Sequence, residues 1–290
     1  MSMRLRNYIK QLNSYLPNLR ESWALLGLTA IAGMLIAGLA TVAISFIAPS
    51  ATRWADMIIY PLVFIPAALY ISISIKNRRE ISFVTGESNY PSVPLNSNRF
   101  GKVGAPLSFF IIFFLIFSFN IATEPLYTWM GTPDFLKEFF ENMKQNPVSS
   151  FISVAIFAPL LEELLCRGII LRGLLHSISP LKAIFWSALM FAVMHLNPWQ
   201  ALPAFMIGML MGWIYWKTGS LWATIFIHFV NNGFSFLITI LFPEMAVETT
   251  FSSLMSPNLY IFVYSASIVF TIGAIFILNR NYDKSISTEV

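Results

Sequence analysis

Eight apolar runs dominate the chain, at residues 23–48, 55–76, 106–129, 149–175, 182–197, 199–216, 220–242 and 258–279. A helix needs about 20 mostly apolar residues to cross a bilayer, and a spanning segment must satisfy its own backbone polar groups. The runs therefore predict an all-α, polytopic membrane protein with about eight transmembrane helices. The fifth run is short and ends at Asn197-Pro198, a turn signal that predicts a tight hairpin with the sixth. Charge agrees: only 11% of residues are charged, against about 25% in a soluble domain. The net charge of +4 does not point to nucleic acid, because the cations sit in short loops between apolar runs. The single cysteine, Cys166, excludes an internal disulfide. The first apolar run is too long for a cleavable signal peptide, and no lipid-anchor signal is present.

Basic residues orient the chain. With the N-terminus in the cytoplasm and eight crossings, only Arg53, Lys137 and Lys144 of the 18 cations fall outside. Fourteen, among them Arg4, Arg6, Lys10, Lys76, Arg172 and Lys217, fall in inside loops and tails, and Arg167 lies within the fourth run. This positive-inside bias supports an even number of spans. Residues 1–22 read as a basic cytoplasmic segment, 23–279 as one transmembrane domain and 280–290 as a cytoplasmic tail. The basic flanks fit a bacterial inner membrane.

Ionisable residues in a bilayer are costly and mark functional sites. The fourth run holds Glu162-Glu163-Leu164-Leu165-Cys166-Arg167. Glu163 and Arg167 are i,i+4 and can pair on one face. Glu162 is rotated about 100° away and has no charged partner four residues on, which leaves it for chemistry. The fifth run holds Phe191 and His195, and the seventh holds His228 and Asn232 at i,i+4. Glu162, His195 and His228 lie 10, 13 and 11 positions from the nearest inside cation, about 15–20 Å along a helix. They share one depth near mid-bilayer.

A carboxylate, two imidazoles and an amide suit hydrolysis by an activated water. Glu162 can take the proton, His195 can orient the water, and His228 with Asn232 can donate to an oxyanion. Cys166 is a poor nucleophile in an apolar helix. No His-Glu-x-x-His motif is present. Glu162, His195 and His228 would make a His₂Glu zinc set. Against tightly bound zinc, Asn232 is a poor zinc ligand, and no neighbour on the same helix clearly fixes the second ring nitrogen of His228. Zinc stays open as a cofactor. A second class also fits these residues: a proton-coupled transporter or membrane immunity factor. Transport favours paired repeats in both halves, whereas the polar residues here cluster in the second half.

Glu162-Glu163-x-x-x-Arg167, Phe191-x-x-x-His195 and His228-x-x-x-Asn232 resemble, in order, the three motifs of the CAAX-prenyl-endopeptidase-like proteases, the CPBP or Abi family. The resemblance covers about residues 149–236. One departure is Cys166, where members often carry an aromatic residue. The resemblance implies an intramembrane endopeptidase, called a metalloprotease in much of the family. It implies that Glu162 and His195 activate water, that His228 and Asn232 hold the oxyanion, and that Glu163 and Arg167 support the site. The partners implied are a membrane-associated peptide or protein substrate and the lipid bilayer, with no nucleic acid.

Overall fold

A computed structural model describes residues 11–85 and 91–282. The expected positions Arg4, Arg6, Lys10 and Lys284 lie outside the described residues. The described residues are helical, with no strand among them. Each apolar run is a helix, and one further helix separates the third run from the fourth. We number them α1 Leu19–Ile47, α2 Pro49–Arg78 and α3 Gly101–Leu126, α4 Asp134–Gln145, α5 residues 147–177, α6 Pro180–Val193, α7 Pro198–Thr218, α8 Leu221–Leu241 and α9 Pro257–Asn281.

Five of these, α1, α2, α3, α8 and α9, are long and apolar enough to cross a membrane. The chain is thus a multi-pass membrane protein. The other three run-derived helices differ for physical reasons. α5 carries Glu162, Glu163 and Arg167, which lower its hydropathy. α7 ends in the polar sequence Tyr215-Trp216-Lys217-Thr218. α6 has 14 residues, about 21 Å at 1.5 Å per residue, short of the roughly 30 Å hydrocarbon core. These helices can be less apolar because neighbours shield them. From Leu165 to Leu175 every residue of α5 is buried. Cys166 of α5 joins a core made with α3, α7, α8 and α9, whereas Leu165, Ile169 and Ile170 join one made with α1 and α2.

α6 and α7 form the expected hairpin. A Cβ on Gly208 would lie 3.2 Å from that of Ala188, and one on Gly212 would lie 3.0 Å from Ile184. The rising and falling numbers mark an antiparallel pair, closed by a small-residue stripe of the Gly-x-x-x-Gly kind. At the turn, Asn197 caps α7 by accepting from Gln200 N, 2.9 Å, and its amide donates to the His195 carbonyl, 2.8 Å.

The loops gather in two layers. Ser97 N and Arg99 N donate to the carbonyls of Gly219 and Thr218. Arg172 joins Leu12, Tyr15 and Val93 in the same layer. In the other layer, Lys137 pairs with Glu248 at 2.6 Å, Lys144 reaches the Pro243 carbonyl at 2.8 Å, and Trp199 donates to the Met130 carbonyl at 3.2 Å. The 26 residues of α3, about 39 Å of helix, join the two. Arg172, read from sequence as a loop cation, is instead 1% exposed on α5. Its Nη1 and Nη2 donate to Val93 O at 2.7 Å, Leu12 O at 2.7 Å and Tyr15 O at 2.9 Å. It staples the N-terminal segment and the 91–100 loop onto α5.

α4 is amphipathic rather than spanning. Leu136 and Met143 face inward while Phe135 and Phe139 are exposed, the pattern of a helix lying in the membrane interface. Its Lys137 is held in the charged form by the Glu248 carboxylate, which raises the amine pKa and lowers that of the acid.

Candidate active site

α5 presents both glutamates from a short α-helical stretch, Ala158–Glu163, set between π-helical segments Phe151–Phe157 and Leu164–Leu171. Such wide turns recur at functional sites, because each shifts the register of the side chains beyond it. Glu163 and Arg167 pair as the spacing predicts, Nη1 to Oε1 at 2.8 Å, with neither side chain exposed. Arg167 Nη2 donates to the Gly208 carbonyl at 3.0 Å, and the guanidinium lies 4.6 Å from the centre of the Phe191 ring. A buried pair survives desolvation only with such additional partners.

The same Glu163 Oε1 accepts from His228 Nδ1 at 3.0 Å. A carboxylate can only accept, so this bond assigns the ring hydrogen to Nδ1 and leaves Nε2 as the second site of His228. That nitrogen stands 3.9 Å from Glu162 Oε2. Phe191 packs edge-on against both histidines, with ring centres 5.2 Å from His195 and 5.5 Å from His228.

Glu162 Oε1 accepts from the Tyr60 hydroxyl. Its Oε2 is buried and has no hydrogen-bond partner among the described residues. Glu162 and His195 line one cavity of about 220 Å³, with Tyr60, Met194 and the side chains of α1 and α2 that follow it. The walls are otherwise apolar apart from Thr29: Ala30, Met34, Val63 and Phe64. His195 lies in the turn just beyond α6 rather than within a helix. Its Nδ1 is bonded to the Phe191 carbonyl at 2.9 Å, which leaves Nε2 as the ring's acceptor. The next residue, Leu196, has φ +56°, a left-handed conformation that costs a non-glycine residue about 1–2 kcal/mol. Strain therefore sits directly beside His195.

Asn232 shares a face with His228 but turns its amide to the Val154 carbonyl, 3.0 Å away in a π segment. That carbonyl can only accept, so it sets the polarity of a chain of amides. Asn231 donates to Asn232 Oδ1 at 3.2 Å, and Asn120 of α3 donates to Asn231 Oδ1 at 2.9 Å. Neither His228 nor Asn232 lines the cavity. The structure thus gathers Glu162, Glu163, Arg167 and His228 by direct approach, joins His195 through Phe191 and the cavity, and sets Asn232 one turn away. Cys166 is fully buried, with its sulfur 3.7 Å from that of Met194.

Residues 144–234 match the Rce1-like family, described as type II CAAX prenyl endopeptidases. This segment is thus similar to the CAAX proteases. It holds all three motifs and ends two residues after Asn232. No curated protein and no solved structure matches the chain. The CAAX-protease-like segment covers α5, α6, α7 and α8 as far as Phe234, so Tyr60 of α2 and Asn120 of α3 lie outside it. Neither was picked out from sequence, although an amide within an apolar run was a visible signal at Asn120. Gly208-x-x-x-Gly212 was a visible signal for the α6–α7 contact.

The acceptor that fixes one ring nitrogen of His228, which its own helix lacked, comes from α5 as Glu163. Among the described residues, however, no three His, Cys, Asp or Glu side chains are grouped so as to hold a metal ion. Glu162, His195 and His228 as placed do not fit one.

Proposed function

We propose that the chain is an intramembrane endopeptidase of the CAAX-protease type, acting on a membrane-associated peptide or protein with a water activated by Glu162 and His195. The observation that carries this reading is the shared cavity: an unpaired carboxylate oxygen and an imidazole converge on one apolar space. Glu162 takes a proton from water as the oxygen adds to the scissile carbonyl carbon. The C–N bond then breaks and that proton passes to the departing amine. His195 orients the water through Nε2. His228, when it carries a proton on Nε2 as well as on Nδ1, and Asn232 act as donors to the oxyanion. One amide hydrogen of Asn232 is already committed to Val154, so the second would serve. Glu163 and Arg167 hold His228 in place.

The match to an endopeptidase family favours this reading over a transporter or immunity factor. The two loop layers support eight spans. The basic loop layer belongs in the cytoplasm of a bacterial inner membrane, with both termini inside. The test is cleavage of a membrane-peptide library by the purified protein in lipid, wild type beside Glu162→Gln. Cleavage by the wild type that is lost in the variant is expected. Equal turnover by both would remove Glu162 from the chemistry.

A further inference from the structure

A carboxylate has two equivalent oxygens, and a general base works best when one of them is held ready for the proton. In Glu162 the equivalence is broken from outside the CAAX-protease-like segment. Tyr60, 102 residues earlier in the chain, donates its hydroxyl hydrogen to Oε1, while Oε2 has no hydrogen-bond partner among the described residues, its nearest ring nitrogen being His228 Nε2 at 3.9 Å. We propose that Tyr60 is a positioning residue of the hydrolytic site: it anchors Glu162 by Oε1 and leaves Oε2 as the proton-accepting oxygen. The proposal rests on the hydrolytic reading given above.

A phenol in a membrane must find some acceptor, and the nearest carboxylate would do. Three features argue that this contact is built. Tyr60 lines the same cavity as Glu162 and His195, so it stands at the reacting space rather than behind it. It opens a short 3₁₀ segment, Tyr60–Phe64, that interrupts α2 with Pro61 in its first turn, where proline's lack of an N–H costs least. That segment is clamped from behind. A Cβ on Gly33 of α1 would lie 2.1 Å from the Val63 carbonyl oxygen, so only glycine lets α1 close against α2 here. Gly33 itself ends a π segment, Leu28–Gly33. Two irregular backbone segments are therefore pressed together next to the tyrosine that holds the base.

Tyr60→Phe removes one oxygen and keeps the ring, including its packing 5.8 Å from Phe64. The variant, wild type and Glu162→Gln would be compared in proteoliposomes on a cleaved membrane peptide. Tyr60→Phe should lower kcat about 10–100-fold, the range that follows from losing one hydrogen bond to a charged group. KM should stay close to the wild-type value, and the variant should remain folded at the assay temperature. A second readout needs no turnover: mass-spectrometric labelling of Glu162 by a hydrophobic carbodiimide, which should quicken about tenfold once Oε1 is bare. Unchanged kcat with unchanged labelling overturns the proposal, as does a loss explained by KM or by unfolding alone. If the wild type cleaves nothing, the hydrolytic reading fails instead, and labelling alone decides whether Tyr60 shields the carboxylate.

Discussion

The two adjacent glutamates should fail in different ways when neutralised. Glu163 is fully buried, and its Oε1 serves both Arg167 and His228. Glu163→Gln keeps an acceptor at that point but removes the countercharge of a guanidinium with no exposed surface. Breaking a buried pair from one side costs about 3–5 kcal/mol. Since the amide oxygen still accepts both hydrogen bonds, the lower end applies, about 3 kcal/mol, or roughly 6–12 °C in melting temperature. Glu162→Gln still accepts from Tyr60 and strands no cation, so its stability should change by less than about 1 kcal/mol. Its activity should fall about 10²–10⁴-fold, the usual contribution of a general base. Thermal unfolding of purified protein in detergent, followed by intrinsic fluorescence, separates the two. The decisive control is Glu163→Gln combined with Arg167→Met. Replacing both charges by neutral groups should restore much of the lost stability, because the stranded cation is gone. A single Glu163→Gln that melts like wild type, or a double variant no more stable than the single, would refute this account of the pair.

Arg172→Met should loosen the N-terminal segment, since the carbonyls of Leu12, Tyr15 and Val93 lose their common donor. Limited proteolysis should then cut first near residues 11–18, and stability should drop by about 3 kcal/mol. Reporter fusions near residues 140 and 250 should both read as external, because Lys137 touches Glu248; opposite readings at the two sites would contradict that contact, and two cytoplasmic readings would invert the orientation. Metal analysis of active enzyme should find no stoichiometric zinc, and activity should survive prolonged chelation. Zinc lost together with activity, and restored with it, would make Glu162, His195 and His228 ligands after all.

Local physics made much of this protein legible in its sequence. Bilayer thickness sets helix length, so the apolar runs marked helices, five of them long and apolar enough to cross a membrane, and Asn197-Pro198 marked the hairpin turn. The i,i+4 rule paired Glu163 with Arg167 and singled out Glu162. Polar residues with no reason to be in lipid marked His195, His228 and Asn232. Contacts between distant helices were not legible, because periodicity states which face a residue occupies and not what meets it. Loop position suggested a solvated cation at residue 172, and only packing made it a buried staple. α4 escaped notice because its charges lower its hydropathy, although its amphipathic spacing was there to read. The acceptor for His228 was sought one turn along its own helix, while the fold brings Glu163 from another. Tyr60 looked like one more aromatic residue in an apolar run. Only the tertiary packing, which presses α1 against α2 at Gly33 and Val63 and sets the Tyr60 hydroxyl on Glu162, showed otherwise.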